Sequence, residues 1–517
     1  MQVSELRQNS ISLENLVSIF DEGVEQLVEK DFVLPDYCPD IFRVLKCRCC
    51  PRVLSYSLVG KKLSFELSVT LKLIYESEGS ARLGFTEQKL QYSKSVELPQ
   101  EAKDAFVRLT PSCDYVDPRV VNKRRIDVRG AVTTKVSIMT GEQISVISDC
   151  TGAGIELRTR SIACPAKRIA LDKRLTIVEE FELGEGKPQP AAIIRSDCAV
   201  IKGEQKTVQG KLVLKGDAEV TVLYSTAENE KEGFDTIRFT VPFSRIIDAD
   251  GIDDSFDVCS EISCASCEIM PKSDSAGTLE CEIVLLAEIS AVKQMTAVAA
   301  EDAYSTKFET EVTAGDVRVE GIPLMIDKSV SKTASVRSAD EQISKVYDCW
   351  GELNGLNTHF DDDKNSCTLL GNIRLCMLGQ SDSGKPLYLE HEEPFEAPLD
   401  GGECVLAQSR VYVNAFVRST SFRLTESDSA ELTAQICITG HISECRTYKL
   451  LTSVSVDTDR PKQKQSGCAV KLCRCDENTD IWDIAKKYST SASAIEQEND
   501  LAEMTAGKGT MLLVPLI

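Results

Sequence analysis

Residues 63–75 read LSFELSVTLKLIY and carry apolar side chains at seven alternating positions. Alternation with a period of two is typical of a β-strand with one buried and one solvated face. Strand-like runs of similar character recur at residues 91–98, 127–138, 212–224, 239–246, 277–289, 367–378, 388–399 and 430–442. This series predicts a mainly β protein built from antiparallel sheets.

The stretch before this strand, residues 31–50, reads DFVLPDYCPDIFRVLKCRCC and contains a turn between two prolines. Pro39 is acceptable in the first turn of a helix, where its missing N–H costs nothing. Ile41, Val44 and Leu45 follow at positions i, i+3 and i+4, which is helical spacing. We therefore expect one or two helical turns that open the first β domain.

Similar features return at nearly constant distances along the chain. Cys47, Cys198 and Cys349 are each 151 residues apart, and Tyr75 and Tyr224 are 149 residues apart. A period this long indicates tandem domains rather than a solenoid. The predicted division is a first β domain with the N-terminal segment at 1–160, a second at 161–310, a divergent third at 311–456, a polar linker at 457–467 and a small C-terminal domain at 468–517.

The N-terminal segment, residues 1–30, has neither the basic region nor the apolar region of a signal peptide. It carries an apolar stripe with helical spacing, although residues 26–34 fit a strand equally well. No apolar run approaches the roughly 20 residues needed to span a bilayer. We therefore expect synthesis and folding in the cytoplasm, with no membrane span.

The composition is that of a globular protein with an acidic surface. Apolar residues make up 42% of the chain, charged residues 27%, and the formal net charge is −22 at pH 7. Binding to nucleic acid requires clustered Lys and Arg that neutralise phosphates. We therefore expect no nucleic-acid partner.

The chain contains 21 cysteines, which are spread along its whole length. In a reducing compartment most should be thiols that pack as small apolar groups, and some could later be oxidised into cross-links. Cys259, Cys264, Cys267 and Cys281 resemble plant-type iron–sulfur spacing. Because they lie in strand-like sequence, we expect thiols there rather than a cluster.

Catalytic motifs are not apparent. The three histidines, His359, His391 and His441, have no metal-ligand spacing, and no nucleophile elbow or phosphate-binding loop is present. We therefore expect a protein that is not an enzyme, with no catalytic residue, metal or cofactor.

The last fifty residues have a different character from the rest of the chain. Residues 472–475 and 511–515 predict two short strands. Between them, Asp480 can cap a helix through Tyr488, and Ser491 or Ser493 can cap a second helix that ends near Asn499. The predicted order is β-α-α-β, a small α+β domain.

This C-terminal segment resembles a LysM domain through DIWDIAKKY at 480–488, ENDL at 498–501 and GTMLLVP at 509–515. The resemblance implies two helices packed on a two-stranded sheet, with a groove between two loops that binds N-acetylglucosamine polymers. Because the usual Gly-Asp-Thr before the first helix is Asn-Thr-Asp here, a protein partner is the alternative to the glycan. By position, the implied groove residues are Asn478, Thr479, Asp480, Ile481, Ala502, Glu503, Met504, Thr505, Lys508 and Gly509.

The sequence VLPDYCPDI at residues 33–41, with the strands after it, resembles the SPOCS domain of clostridial spore-coat-associated proteins. The resemblance is strongest at 31–140, visible at 180–290 and faint at 330–445. SPOCS repeats followed by one LysM domain are similar to a family of spore morphogenetic scaffolds.

That family implies a sporulation function without enzymatic activity. The implied protein is made in the mother cell, is recruited to the forespore surface and docks through its LysM domain onto the coat-basement ATPase, stage IV sporulation protein A. Self-association of the β domains is a further implied interaction. The alternative function is binding of peptidoglycan in the spore cortex or the cell wall.

Overall fold

The computed structural model describes residues 6–516 except 37, 80–82, 104, 185, 227–232, 273–276, 340, 362, 403–405, 464–467, 476–478, 502–504 and 507–508. The protein is mainly β, as the alternating apolar runs predict, and each of the predicted runs lies within a strand except for one terminal residue of the runs 91–98 and 277–289. No helix of the described residues is long and apolar enough to cross a membrane.

Three units of six strands follow one another along the chain. Unit 1 contains β1 (Arg7–Val33), β2 (Ile41–Val59), β3 (Lys62–Ser77), β4 (Leu83–Glu97), β5 (Phe106–Asn122) and β6 (Arg125–Thr151). Unit 2 contains β7 (Ile155–Glu182), β8 (Pro190–Val208), β9 (Lys211–Thr226), β10 (Gly233–Asp248), β11 (Phe256–Pro271) and β12 (Thr278–Ser305). Unit 3 contains β13 (Phe308–Arg337), β14 (Ile343–Asp361), β15 (Ser366–Ser381), β16 (Pro386–Leu399), a 3₁₀ turn (Leu406–Gln408), β17 (Arg410–Glu426) and β18 (Ser429–Pro461).

The C-terminal module follows unit 3 and has the predicted order β-α-α-β with one added strand pair. It contains β19 (Val470–Arg474), β20 (Thr479–Asp480), α1 (Ile481–Tyr488), α2 (Ala492–Glu498), β21 (Thr505–Ala506) and β22 (Met511–Pro515). β18 runs to Pro461, into the segment 457–467 that the sequence predicts as a linker. Residues 464–467 lie outside the described residues.

Each unit has the same topology of two three-stranded antiparallel sheets. The sheet orders are β1-β6-β5 and β2-β3-β4 in unit 1, β7-β12-β11 and β8-β9-β10 in unit 2, and β13-β18-β17 and β14-β15-β16 in unit 3. The inward faces of the two sheets pack together in each unit, as one core in units 1 and 3 and as two clusters in unit 2. In unit 1 this core includes the alternating residues of β3, which are almost fully buried.

The helix expected after Pro39 is wrong, because this segment is the start of β2. The pairing of β2 with β3 shifts register between Ile41 and Arg43 and again between Val44 and Lys46. Each β-bulge adds one residue to the alternation. Inward positions therefore recur every three residues, which imitates a helical stripe. The helical stripe in residues 1–30 is also wrong beyond residue 6, because β1 begins at Arg7, and the strand alternative for residues 26–34 is confirmed as far as Val33.

The same bulge occurs in all three units and fixes which residues are equivalent. It precedes Lys46 in β2, Arg195 in β8 and Asp348 in β14. Lys46 and Arg195 are 149 residues apart, and Arg195 and Asp348 are 153 residues apart. The uniform spacing of 151 is therefore an average: Cys349 is equivalent to Cys47, but Cys198 is equivalent to Cys49.

The described residues of the three units share further apolar cores, one of which joins Ile147 of unit 1, Ala300 of unit 2 and Leu451 of unit 3. Another joins Ile74 of unit 1, Ile194 of unit 2 and Trp350 of unit 3. A third joins Leu13, Ile162 and their neighbours to Leu450, where the long strands extend beyond the two-sheet cores. Burial of apolar area in these shared cores holds the three units together.

Candidate functional sites in the C-terminal module and at the unit junction

The C-terminal module folds around the residues that its sequence pattern predicts as core. Trp482, Ile484 and Ala485 of α1 are buried against Leu512 and Val514 of β22. The carboxylate of Asp480 accepts a hydrogen bond from the Trp482 backbone N–H at 2.9 Å and so caps the helix. Both predicted helices are therefore present, with Ser491 at the start of α2 and Asn499 at its end.

The structure brings the two predicted groove loops together through a short strand pair. Thr479 pairs with Ala506, and Asp480 pairs with Thr505. Thr505 and Gly509 are exposed beside this pair. The other predicted groove residues in these loops, Asn478, Ala502, Glu503, Met504 and Lys508, lie outside the described residues.

Two predicted groove residues have other roles in the module. The side chain of Ile481 is fully buried in the module core, so it offers no surface to a ligand. Asp480 is committed twice: it caps α1, and it forms an ion pair with Arg158 of β7 at 2.6 Å. The predicted groove therefore has one side against unit 2.

The module is docked on unit 2 through the end of β12. The indole N–H of Trp482 donates to the Asp302 carboxylate at 2.8 Å, and Lys486 donates to both oxygens of the same group at 2.7 and 2.6 Å. Tyr304 packs edge-on against the Trp482 ring with 4.9 Å between centroids, and its hydroxyl donates to the Thr490 carbonyl at 2.8 Å. Tyr304 is thus part of the module's own core.

The electrostatics of this contact favour an ionised Asp302. Burial raises the pKa of Asp302, but the hydrogen bonds from Lys486 and Trp482 outweigh it and hold the pKa below its ordinary value. The carboxylate therefore stays charged and keeps both donors in place. The sequence does not indicate this contact, because Asp302 is about 180 residues from its partners Trp482 and Lys486.

Asp302→Ala is expected to loosen the module from unit 2. It removes a charged acceptor that serves two side chains, a loss of about 2 kcal/mol. The amide hydrogens of α1 should exchange roughly thirtyfold faster in the variant, since each factor of ten corresponds to about 1.4 kcal/mol. Asp316→Ala, at an exposed position of β13, is the control and should leave this exchange unchanged. Equal exchange in both variants would contradict the docking role.

The outer face of the β19–β22 sheet is apolar and open. Leu472 of β19 pairs directly with Leu513 of β22, and Val470 and Met511 lie on the same face. All four side chains are exposed, while the opposite face of the sheet carries the helices. Alternating strands with apolar residues on both faces indicate this surface in the sequence, although the sequence reasoning did not single it out.

A second candidate site lies where the three units meet. Lys46 of unit 1 forms ion pairs with Glu352 at 3.1 Å and Glu390 at 3.0 Å, both in unit 3. Burial lowers the pKa of Lys46, but Cys376 and the two carboxylates raise it, and the net shift is upward. The lysine therefore remains charged although its side chain is only 7% exposed.

Arg195 of unit 2 is the central cation of this junction. It forms ion pairs with Asp197 of its own unit and with Asp348 of unit 3, and its guanidinium stacks 4.6 Å from the Trp350 ring centroid. Arg48 of unit 1 reaches Asp197 at 2.8 Å. A cavity of about 290 Å³ adjoins this network and is lined by charged and apolar side chains of all three units.

The cavity and its charges do not form a recognisable catalytic arrangement. Its lining includes Lys46, Arg48, Lys72 and Arg195 together with Glu87 and Glu352. Across the part of the chain that the structure describes, no group of three or more His, Cys, Asp or Glu side chains is placed to hold a metal ion. The ion pairs of Lys46 and Arg195 with unit 3 make the junction a buried ionic contact between units.

Comparison with known proteins places unit 2 in a family. Residues 191–270 match the family model described as SipL, SPOCS domain. The matched range begins in β8 and ends in β11, so it covers the sheet β8-β9-β10 and the strand that follows it. Unit 2 of the chain therefore contains a SPOCS domain match. The particular protein that the chain resembles is SipL.

No curated protein and no solved structure matches the chain. The family match falls on the second copy of the repeat, whereas the resemblance in the sequence is strongest in the first. Units 1 and 2 have the same strand order and bulges at equivalent places.

Proposed function

We propose that the protein is a non-enzymatic scaffold of the spore coat. Its resemblance to SipL in the SPOCS domain supports a role in sporulation and association with the coat. The three units share buried apolar cores and an ionic junction, so together they can carry a terminal binding module. In this proposal the protein is made in the mother-cell cytoplasm and is recruited to the forespore surface.

We further propose that the LysM-like module docks onto stage IV sporulation protein A, the coat-basement ATPase. The observation that carries this step is the apolar outer face of β19 and β22, where Leu472 and Leu513 are exposed side by side. Exposed contiguous apolar side chains favour a protein partner. The groove side is less available, because Asp480 is bound to Arg158 of unit 2.

The full chain carrying Leu472→Asp and Leu513→Asp is expected to lose binding to purified stage IV sporulation protein A by at least about tenfold. Introducing two charges into an apolar contact removes its central area and costs several kcal/mol. Both residues lie on the solvent side of the module sheet, so the fold should be retained, which circular dichroism checks. A pull-down with immobilised partner gives the affinity.

Thr505→Asp is the matched control on the groove side of the module, where the side chain is exposed. It should bind the partner as the unchanged protein does. Loss of binding in this variant alone would move the partner's contact from the apolar face to the groove side. Sedimentation of the unchanged protein with purified peptidoglycan, without binding to stage IV sporulation protein A, would replace the protein partner by the glycan. Full binding by a chain that lacks residues 468–517 would overturn any docking role of the module.

A further inference from the structure

Units 1 and 2 carry cysteines at equivalent positions on two strands that face each other across the unit. On the first of these strands, Cys49 of β2 lies three residues after Lys46, and Cys198 of β8 lies three residues after Arg195. Lys46 and Arg195 are the residues that follow the bulge in the two units. On the second, a register shift occurs directly after Cys113 in β5 and after Cys264 in β11. The pair of Cys49 and Cys113 in unit 1 and the pair of Cys198 and Cys264 in unit 2 therefore occupy equivalent positions in the fold.

Contacts across unit 2 show that these strands face each other at this place. The Ser196 hydroxyl of β8 donates to the Cys267 carbonyl of β11 at 3.3 Å, and Lys202 donates to the Ser260 carbonyl at 2.8 Å. The two strands are thus antiparallel neighbours from different sheets. Cys198 lies between these two contacts, opposite Cys264.

Unit 3 has no thiols at the equivalent place, and its geometry confirms the proximity of the two positions. Gly351 of β14 is equivalent to Cys198, and Val417 of β17, which precedes the same register shift, is equivalent to Cys264. A Cβ atom built on Gly351 would lie 3.1 Å from the nearest methyl carbon of Val417. Side chains at these two positions therefore meet directly across the two sheets.

The thiols in units 1 and 2 are in contact and unequal in acidity. A hydrogen bond from Cys49 lowers the pKa of Cys113, and the same bond raises the pKa of Cys49. In unit 2, Cys198 bonds to both Cys264 and Cys267, and hydrogen bonds from Cys198 and from Cys281 of β12 lower the pKa of Cys267. All five side chains other than Cys281 are half-buried rather than enclosed, so small reagents reach them.

We propose that these are two redox sites at which a low-molecular-weight disulfide oxidises a pair of protein thiols. The resulting protein disulfide joins the two sheets of a unit and links Cys49 to Cys113 in unit 1 and Cys198 to a β11 thiol in unit 2. Thiols whose strands face each other at contact distance meet the geometric requirement for a disulfide.

The exchange balances without any further reactant. The Cys113 thiolate attacks one sulfur of the small disulfide, whose S–S bond breaks and releases one small thiolate. The Cys49 thiol gives its proton to solvent and attacks the Cys113 sulfur of the mixed disulfide, which releases the second small thiolate. Two protein thiols are oxidised, and one small disulfide is reduced to two thiols. In unit 2 the thiolate is Cys267, and Cys198 resolves the mixed disulfide.

The full chain treated with oxidised glutathione under native conditions, then alkylated, digested with trypsin and analysed by mass spectrometry, tests the proposal. We expect the peptide 49–52 linked to the peptide 109–119, and the peptide that contains Cys198 linked to the one that contains Cys264 and Cys267. Each linked pair should lose two titratable thiols. Glutathione that remains on Cys113 without any link, in the unchanged protein, would overturn the proposal.

Single serine variants separate the two thiols of a pair from their neighbours. Cys49→Ser should abolish the link in unit 1 and leave glutathione trapped on Cys113, while the link in unit 2 forms as before. Cys50→Ser is the matched control, because it changes the adjacent thiol in the same peptide and should keep the link. A link that survives Cys49→Ser, or is lost in Cys50→Ser, would contradict the assignment.

Discussion

Arg195→Met is expected to destabilise the protein by about 3–5 kcal/mol, the range found when one partner of a buried ion pair is removed. The Asp348 side chain is only 1% exposed, and Arg195 is its ion-pair partner across the unit junction. Without the guanidinium, the carboxylate retains the backbone N–H of Cys349 at 2.9 Å as its close hydrogen-bond donor. The variant also loses the stacking of the cation on Trp350.

The free energy of unfolding of this variant should depend on pH in a way that loss of packing alone would not produce. Burial raises the pKa of Asp348 above 3.8, whereas Arg195 lowers it. Removing Arg195 raises the pKa of Asp348 further. A carboxyl group whose pKa is raised in the folded state destabilises that state. The penalty is complete above the folded pKa and disappears as pH falls from the folded pKa to the unfolded pKa. The free energy of unfolding of Arg195→Met should therefore approach that of the unchanged protein under acidic conditions.

A double variant and a surface control make the measurement specific. Arg195→Met combined with Asp348→Leu should recover most of the lost stability in urea denaturation, since an apolar pair of similar volume can replace a buried ion pair. Glu426→Ala breaks the exposed pair with Arg337 and should change stability by less than about 1 kcal/mol. A double variant as unstable as Arg195→Met alone would refute the electrostatic explanation.

The fold was largely predictable because strand alternation is a local signal. In β3 every second residue is buried, and the sequence shows this directly. The prediction failed where bulges interrupt the alternation, as at Ile41 and Val44, since the extra residue cannot be recognised without knowing the partner strand. The equal spacing of Cys47, Cys198 and Cys349 is misleading because the bulges that mark equivalent positions are 149 and 153 residues apart.

The sites were less predictable than the fold because their partners are remote in sequence. Asp480 was predicted as a groove residue and a helix cap, and the cap is confirmed. Its ion pair with Arg158 joins residues more than 300 positions apart, which no local pattern indicates. The junction around Arg195 likewise depends on how whole units pack against one another. Local sequence therefore gives the module and its core but not the surface to which the module is attached.

The contact of His441 with unit 2 is expected to make the protein less stable as pH rises from neutral to alkaline values. His441 of β18 lies 3.4 Å from the Cys259 sulfur and 3.6 Å from a Glu261 oxygen, both in β11. Arg108 of unit 1 approaches the same glutamate at 3.7 Å, and the Tyr412 ring lies beside the imidazole at 5.0 Å. Burial lowers the pKa of His441, but its contacts with the thiol and the carboxylate raise it to about 9.

A histidine whose pKa is higher in the folded state than in the unfolded state stabilises the protein most in its protonated form. The contribution of His441 is complete below about pH 6.5 and is lost as pH rises to about 9. Because each pH unit between these values corresponds to about 1.4 kcal/mol, the total is about 3–4 kcal/mol. Measured by urea unfolding, the stability advantage of the unchanged protein over His441→Gln should shrink by about this amount between pH 6 and pH 9.5.

Comparing the two proteins at each pH isolates His441, because all other titrating groups are common to both. His391→Gln is the control, since that imidazole is exposed and its contact with Glu393 lies within one strand. This variant should follow the unchanged protein at every pH. A difference between the unchanged protein and His441→Gln that stays constant with pH would show that the imidazole contributes only by packing. A difference that shrinks toward alkaline pH would show that protonation of this one side chain holds β18 of unit 3 against β11 of unit 2.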